Sequence, residues 1–392
     1  MKICIVGPSK RFFSGITAHT IFLANALSKD NQVSVVLFRN LLPRFLFPGR
    51  EHIGKDQYYV NFTTDVDVYD GMDYNSPRSW FGAYKFLKRY RPEVIIIMWW
   101  TSSVAHMQLF LKLVNKLGIK AKIIVEMHEV VDILEESIWP IRIYSRVMGW
   151  MFVHGLDSYM AFSQIDKDRI VDIYHIDKEM VHVWPMGLYQ DYFQPIDQVS
   201  AKQELLVDNE FVILYFGLIR HYKGVPFLIE AFNSLPSSIA LHSRLLIVGE
   251  VWEDGELLRK RVDESPYKSQ IVLVSQYIPD SMIPKYFSAS DIVVLPYLRA
   301  SGSAVAHIAL TYGKPIILSD VPALREYMGD YQGTIFVKPG DSDAIRASIE
   351  AVYKSVVSGQ DLHYKSTHAT WDDIARKYET IIGSLISRGA VE

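Results

Sequence analysis

Two fixed cations three residues apart, Arg220 and Lys223, stand in the stretch FGLIRHYKG, directly behind the apolar run FVILYFG. Arginine offers a planar fork of donors and lysine a mobile point charge. At a strand-to-helix junction the pair can grip a diphosphate from two sides and neutralise charge developing on it as it leaves. The same letters also write a solvated basic turn. A second anion device follows in LPYLRASGSAVAHIALTYGKPIILSD, where a strand ends at Leu295, Pro296 and Tyr297. Its small-residue loop, with Ser301, Gly302, Ser303, Ala304 and Val305, leads into a helix and would bare backbone N–H groups to phosphate. A merely tight loop is the alternative, and a second device in the same half of the chain weighs against it.

The first half carries weaker signals. In GPSKRFFSGITAHT, Gly15 lets the backbone approach a ligand, and a helix from about Ile16 through Leu27 would offer its N-terminus to an anion. The spacing misses the dinucleotide fingerprint Gly-x-Gly-x-x-Gly, which argues against a nicotinamide or flavin. VEMHEV sets His128 and Glu129 just past an apolar strand. A histidine there can hydrogen-bond a hydroxyl or share a proton with a reacting oxygen, or it can be a satisfied structural residue.

The elements that must position these groups are short β-branched runs between helical patterns. KICIVG, QVSVVLF, EVIIIMWW, AKIIVEMH, SYMAFS and VHVWPMG occupy the first half; FVILYFG, RLLIVGE, IVLVSQY, DIVVLPY, KPIILSD and GTIFVKPG occupy the second. Strands apolar throughout suit a parallel sheet covered on both faces. The expectation is α/β: two doubly wound Rossmann-like domains facing across a cleft, with ligands beyond the carboxyl ends of the strands. The polar segment Gln194 to Glu210 reads as the linker, giving domains 1–193 and 194–371. The last segment, with Trp371, Ile374, Tyr378, Ile381 and Leu385 at helical spacing, reads as an amphipathic helix able to pack on either domain.

Composition narrows the partners. With 392 residues, 49% hydrophobic, 22% charged and net charge -3, the chain is globular and gives no global reason to expect nucleic acid. One cysteine, Cys4, excludes a disulfide framework or thiolate cluster and fits a reducing, cytoplasmic setting. The N-terminus lacks the pattern of a secretory signal, and no run is long enough to span a membrane. Two segments nevertheless interleave basic and aromatic residues. RNLLPRFLFPGR contains Arg44, Phe45, Phe47 and Arg50; SIWPIRIYSRVMGWMFVHG places Trp139, Ile143, Val147 and Trp150 at helical spacing beside Arg142 and Arg146. Such stretches bind anionic membrane surfaces. The first reads as a membrane contact, and the second as either a core helix or a membrane face.

The order of motifs resembles the GT-B retaining glycosyltransferases of family 4, the group 1 enzymes with many bacterial and archaeal mannosyl- and glucosyltransferases. The resemblance runs through Gly15, His128, PMGLYQDYF where the family writes Pro-Asn-Gly-Val-Asp, FGLIRHYKGVPFLIEAF and YGKPIILSDVPALREYM. It implies a nucleotide diphosphate-sugar held by the C-terminal domain, an acceptor on the N-terminal domain, and transfer without a cofactor or bound metal. Arg220 and Lys223 would stabilise the leaving diphosphate, and His128 would contact the sugar near its reacting carbon. Tyr277 and Ile278 in SQYIP would lie near the base, and Ser301 to Val305 would hold phosphates and sugar. In many members the last helix, here 372–392, returns to the N-terminal domain. By family frequency the sugar would be mannose from GDP-mannose. A lipid-linked or glycolipid acceptor then fits a peripheral enzyme on the inner face of the cell membrane.

Two departures stand out. The family's Glu-x7-Glu pair would fall at Ala300 and Ile308, and its arginine after the first glycine at Leu218. Glu326 is a distant substitute for the ribose carboxylate, and Arg220 must replace the arginine. Two other readings share the architecture: a weak or inactive nucleotide-sugar-binding relative, and an enzyme like the UDP-N-acetylglucosamine 2-epimerases, which would interconvert free donor without acceptor.

Overall fold

The computed structural model describes residues 1–11, 15–40, 60–100, 105–130, 139–189, 193–208, 210–300 and 302–389. Arg44, Phe45, Phe47, Arg50 and Ser301 lie outside the described residues. The chain divides into two compact units, one of Met1–Gly187 with Ala369–Glu392, the other of Leu188–His368.

In the first unit, β1 (Lys2–Pro8), β2 (Gln32–Asn40), β3 (Val66–Asp73), β4 (Val94–Trp99), β5 (Lys122–Met127), β6 (Ser158–Ala161) and β7 (Val181–Val183) form one parallel sheet, ordered β3-β2-β1-β4-β5-β6-β7. Ile5 of β1 sits between Val35 of β2 and Ile96 of β4. β1, β4 and β5 are apolar along nearly their whole length because helices cover both faces. β3 was not foreseen. It is an edge strand, VDVYDGMD, in which only Val66 and Met72 are buried, so it carries no continuous apolar run. Cys4 is fully buried in β1, and burial pushes its thiol up to about 12, which makes it an inert core residue.

The second unit holds the six expected strands: β8 (Phe211–Phe216), β9 (Ser243–Val248), β10 (Ile271–Val274), β11 (Ile292–Leu295), β12 (Ile316–Ser319) and β13 (Thr334–Val337), ordered β10-β9-β8-β11-β12-β13. Strand order reverses between β1 and β4 in one sheet and between β8 and β11 in the other, the positions where doubly wound folds place ligands.

The segment read as a linker is not free. Residues Gln198–Glu204 form a short helix, capped by Asp197, whose side chain accepts from the Ser200 N–H at 2.9 Å. It packs on the helix Ile283–Ala289, and Lys202 pairs with Asp291 at 2.7 Å. Only Ala201 is buried in it, so the sequence shows no apolar stripe. The last helix, Trp371–Gly389, packs on the helix Gly15–Leu27 of the first unit. Lys29 pairs with Asp372 at 2.7 Å, and Asn31 donates to Glu379 at 2.6 Å.

Candidate functional site

The phosphate-type device sits at the switch point of the second unit. After β8 the chain turns at Gly217 and is held to the loop after β9 by Ile219 N–H to Glu250 O (2.9 Å) and Trp252 N–H to Ile219 O (3.0 Å). That pairing delivers Glu253 to Arg220. The guanidinium lies 2.8 Å (Nη2) and 2.9 Å (Nε) from Glu253 Oε1, while Oε2 accepts from the His221 N–H at 3.0 Å. One edge of the Arg220 fork is therefore already occupied. Glu253 is held below the usual carboxylate range: burial pushes it up, but the His221 N–H and Arg220 outweigh this.

Lys223 differs. Its Nζ lies 3.7 Å from the centroid of the Tyr297 ring and 5.1 Å from that of Tyr222, and among the described residues no carboxylate pairs with it. Burial pushes its ammonium pKa down, Tyr222 opposes this, and Arg220 adds to it. The turn is closed by Gly224 at φ 68°, where a Cβ would stand 1.9 Å from the Pro296 carbonyl oxygen. Only glycine permits this approach of the β8 loop to the end of β11. The Leu298 N–H then donates to Tyr222 O at 2.8 Å. This brings up a cation that the motif reading passed over: Arg299 lies 5.5 Å from the Tyr222 ring centroid, as does Arg220. Three cations thus surround one tyrosine, with one carboxylate among them paired to Arg220. Arg299 was legible as a charge but not as a member of the group, because 76 residues separate it from Lys223 and only the sheet order joins them.

The helix Ala304–Thr311 starts beside this cluster, since a Cβ on Gly217 would stand 3.3 Å from Val305 Cγ2. The loop is less open to phosphate than expected. The Ser303 N–H donates to the Tyr327 hydroxyl at 2.5 Å, and Ser303 Oγ caps the Ala306 N–H at 3.2 Å. Ser303 is buried, whereas Ala304 and Val305 are half-exposed. The amides of Ala304 and Val305, and exposed Gly302, remain as the candidate contacts. Tyr277 and Ile278 follow β10 at the carboxyl edge of the same sheet, Tyr277 half-buried and Ile278 buried. Ile308, at the position of the family's second glutamate, is buried in the helix, and Glu326 is exposed on the helix Pro322–Met328.

In the first unit Gly15 opens the helix Gly15–Leu27 and is exposed. His128, just beyond β5, does not project freely. Its side chain keeps 8% exposure, with ring centroids 4.8 Å from both His19 and Phe162. Glu126, two residues earlier on the same strand face, is 2% exposed and makes a close contact with His19 Nε2. His128 Nε2 lies 3.5 Å from Glu126 Oε1, and the Tyr378 hydroxyl of the last helix donates to Glu126 Oε2 at 2.5 Å. Burial pushes the Glu126 carboxyl up, but His19, His128 and Tyr378 together hold it below its ordinary range. Burial pushes His128 down to about 3, against the upward pull of Glu126. His128 is therefore a neutral imidazole at physiological pH. His19, Glu126 and His128 bring ligand atoms within 4.8 Å of one another, the one such group among the described residues. A divalent ion there would have to displace the His19–Glu126 contact. His19, Glu126 and Tyr378 were missed as a group because they come from three distant segments.

The basic-aromatic helix is Trp139–Val153. It packs on the helix Ala105–Val114, yet Trp139 (72%), Ile143 (54%), Val147 (53%) and Trp150 (55%) are exposed, as are Arg142 and Arg146. The residues offered as a core stripe thus face outward, and Phe152 and Val153 supply the buried contacts instead. No helix among the described residues is long and apolar enough to cross a membrane.

Two family models match the chain in succession: Glycosyltransferase Family 4 over residues 13–191 and Glycosyl transferases group 1 over residues 197–367. Among curated relatives, the O-antigen chain mannosyltransferase B of Escherichia coli is 24% identical over 210 residues, covering 52% of this chain and 54% of its own. The chain spans about half the length of the curated relatives it matches. Among solved structures, sucrose-phosphate synthase from Thermosynechococcus elongatus superposes with a TM-score of 0.72 at 14% identity over 99% of both chains. HepE of Anabaena, solved with UDP-glucose, gives 0.64 at 15% identity over 100% of this chain and 99% of its own. With both family models in sequence, and each half folded as a doubly wound parallel sheet, the chain belongs to the GT-B glycosyltransferases of group 1.

Proposed function

We propose that this protein is a metal-independent, retaining glycosyltransferase. It moves a hexose, mannose from GDP-mannose, from a nucleotide diphosphate-sugar to a lipid-linked or glycolipid acceptor at an anionic membrane surface. The observation that carries the reading is the excess of cation at the β8/β11 switch point. Lys223 is half-buried against Tyr297 with no carboxylate partner among the described residues, and Arg220 and Arg299 flank the same Tyr222 ring. A partly desolvated cation lacking an anion is disfavoured in the free protein, and a diphosphate supplies the missing charge. As the sugar leaves, charge grows on that diphosphate, so Lys223 and Arg220 stabilise the transition state more than the ground state, while exposed Arg299 adds binding to both. Neutral His128 suits hydrogen bonding to a substrate hydroxyl better than donation of a full positive charge.

Family membership and the UDP-glucose held by HepE support the donor class. The choice of mannose draws on family frequency and on the O-antigen mannosyltransferase relative. Surface attachment is supported by the outward apolar face of Trp139–Val153 with Arg142 and Arg146 beside it. The experiment is a radiolabelled donor panel with a lipid-linked acceptor in EDTA. Label moving from GDP-mannose to acceptor is the expected result; binding without transfer or hydrolysis would make the protein a nucleotide-sugar-binding relative. That second reading has one observation in its favour, the apolar Ile308 where the family writes a glutamate. Sedimentation with anionic liposomes at low salt tests the membrane arm, and a protein left in the supernatant removes it.

A further inference from the structure

Among the described residues of the first unit, the most deeply buried acidic side chain is Glu126. Glu126 is 2% exposed, and three side chains converge on it: His19 from the helix Gly15–Leu27, His128 from the end of its own strand, and Tyr378 from the last helix. Trp371 closes the group from the same last helix, its ring centroid 4.7 Å from that of His19, and Phe162 closes it from beyond β6. Such a carboxylate is tolerated only when its lone pairs are filled, and here both oxygens are engaged.

His128 turns its Nε2 edge into this cluster. Nε2 lies 3.4 Å from Met98 Sδ and 3.5 Å from Glu126 Oε1. Both are acceptors, so in the neutral ring the proton belongs on Nε2. Nδ1 then carries the lone pair.

We propose that Glu126, braced by the Tyr378 hydroxyl, is a positioning residue that fixes His128 as the Nε2–H tautomer and presents Nδ1 as a hydrogen-bond acceptor for a substrate hydroxyl. Tyr378 donates to Oε2, which holds the carboxylate so that Oε1 faces the two histidines. The last helix is in this way part of the His128 apparatus, although it lies 250 residues further along the chain than His128. The inference rests on the glycosyltransferase reading for what the hydroxyl belongs to, but not for the tautomer itself.

Two readouts on the full chain test it. Histidine 15N chemical shifts, assigned with His128→Gln and His19→Gln variants, are expected to show His128 as a neutral Nε2–H ring. Glu126→Gln, whose amide can donate as well as accept, is expected to mix the tautomers and lower kcat about 10- to 100-fold with donor KM unchanged. Tyr378→Phe keeps the ring in place if Glu126→Gln does not fold, and is expected to lower kcat by a smaller factor with the same KM. Glu126→Asp should recover part of the lost rate. A His128 that is Nδ1–H in the native protein overturns the proposal, as does stoichiometric metal lost on His128→Gln, or folded variants with native kcat. If the native protein transfers no sugar at all, the functional reading falls while the 15N shifts still decide the tautomer.

Discussion

The ammonium of Lys223 lies 3.7 Å from the centre of the Tyr297 ring, a half-buried cation resting on an aromatic face with no carboxylate paired to it among the described residues. The ring quadrupole recovers part of the lost hydration but does not neutralise the charge. The free protein thus holds an electrostatic debt at the carboxyl end of β11 that an anionic ligand cancels.

Lys223→Met should therefore separate stability from activity. The stem's packing is kept and the uncompensated charge removed, so the melting temperature should rise, by the equivalent of about 1–2 kcal/mol. Turnover should fall at least ~100-fold, as should that of Arg220→Ala, if these groups stabilise a leaving diphosphate. Calorimetry and donor turnover on one preparation check both halves; an unchanged rate in a folded variant removes the residue from the site.

Arg299 is exposed, and among the described residues it touches the cluster through Tyr222. Arg299→Ala should leave thermal stability within about 0.5 kcal/mol of native. Donor KM should rise several-fold while kcat changes little, the pattern of lost uniform binding. If KM does not move, Arg299 is a surface charge.

His128 couples acid stability to the site. Its folded pKa of about 3 lies below the ordinary 6.5, so between those values the unfolded chain binds the extra proton. Stability present above pH 6.5 is lost as the pH falls towards 3, by up to roughly 5 kcal/mol for this group. Urea unfolding of the native protein and His128→Gln across pH 4 to 7 should show a shallower slope in the variant. His128→Ala should lower turnover more than donor affinity, and the pH–rate profile should lack a limb near 6.5 from this residue.

Gly187 lies flat against Trp371, and a Cβ there would stand 2.8 Å from the indole ring. Trp371 is itself 1% exposed and cannot swing away. Gly187→Ala should cost about 1–3 kcal/mol and loosen the last helix. Thermal unfolding and limited proteolysis near residue 371 measure this, and an unchanged melting temperature would show that the helix shifts freely.

Much of the fold was legible in single segments. Twelve of the strands appear as apolar runs because a parallel sheet covered on both faces demands them, and β3 escaped because only Val66 and Met72 of its eight residues are buried. The cations Arg220 and Lys223, the glycines around them and the helix start at Ala304 were readable as an anion device because their chemistry is local. What the sequence could not express was who meets whom across long separations. The reversal of strand order at β8 and β11 brings Arg299 to Tyr222, and the pairing of Ile219 with the loop after β9 gives Arg220 its carboxylate partner. Tyr327 fills the Ser303 N–H that looked open, from a helix about 20 residues away. The return of the last helix joins Tyr378 to Glu126 and turns an isolated histidine into the rim of a buried network. Local spacing determined which groups were present and which elements they begin or end. Burial, partner choice and protonation depend on distances between segments, and only the packed chain sets those.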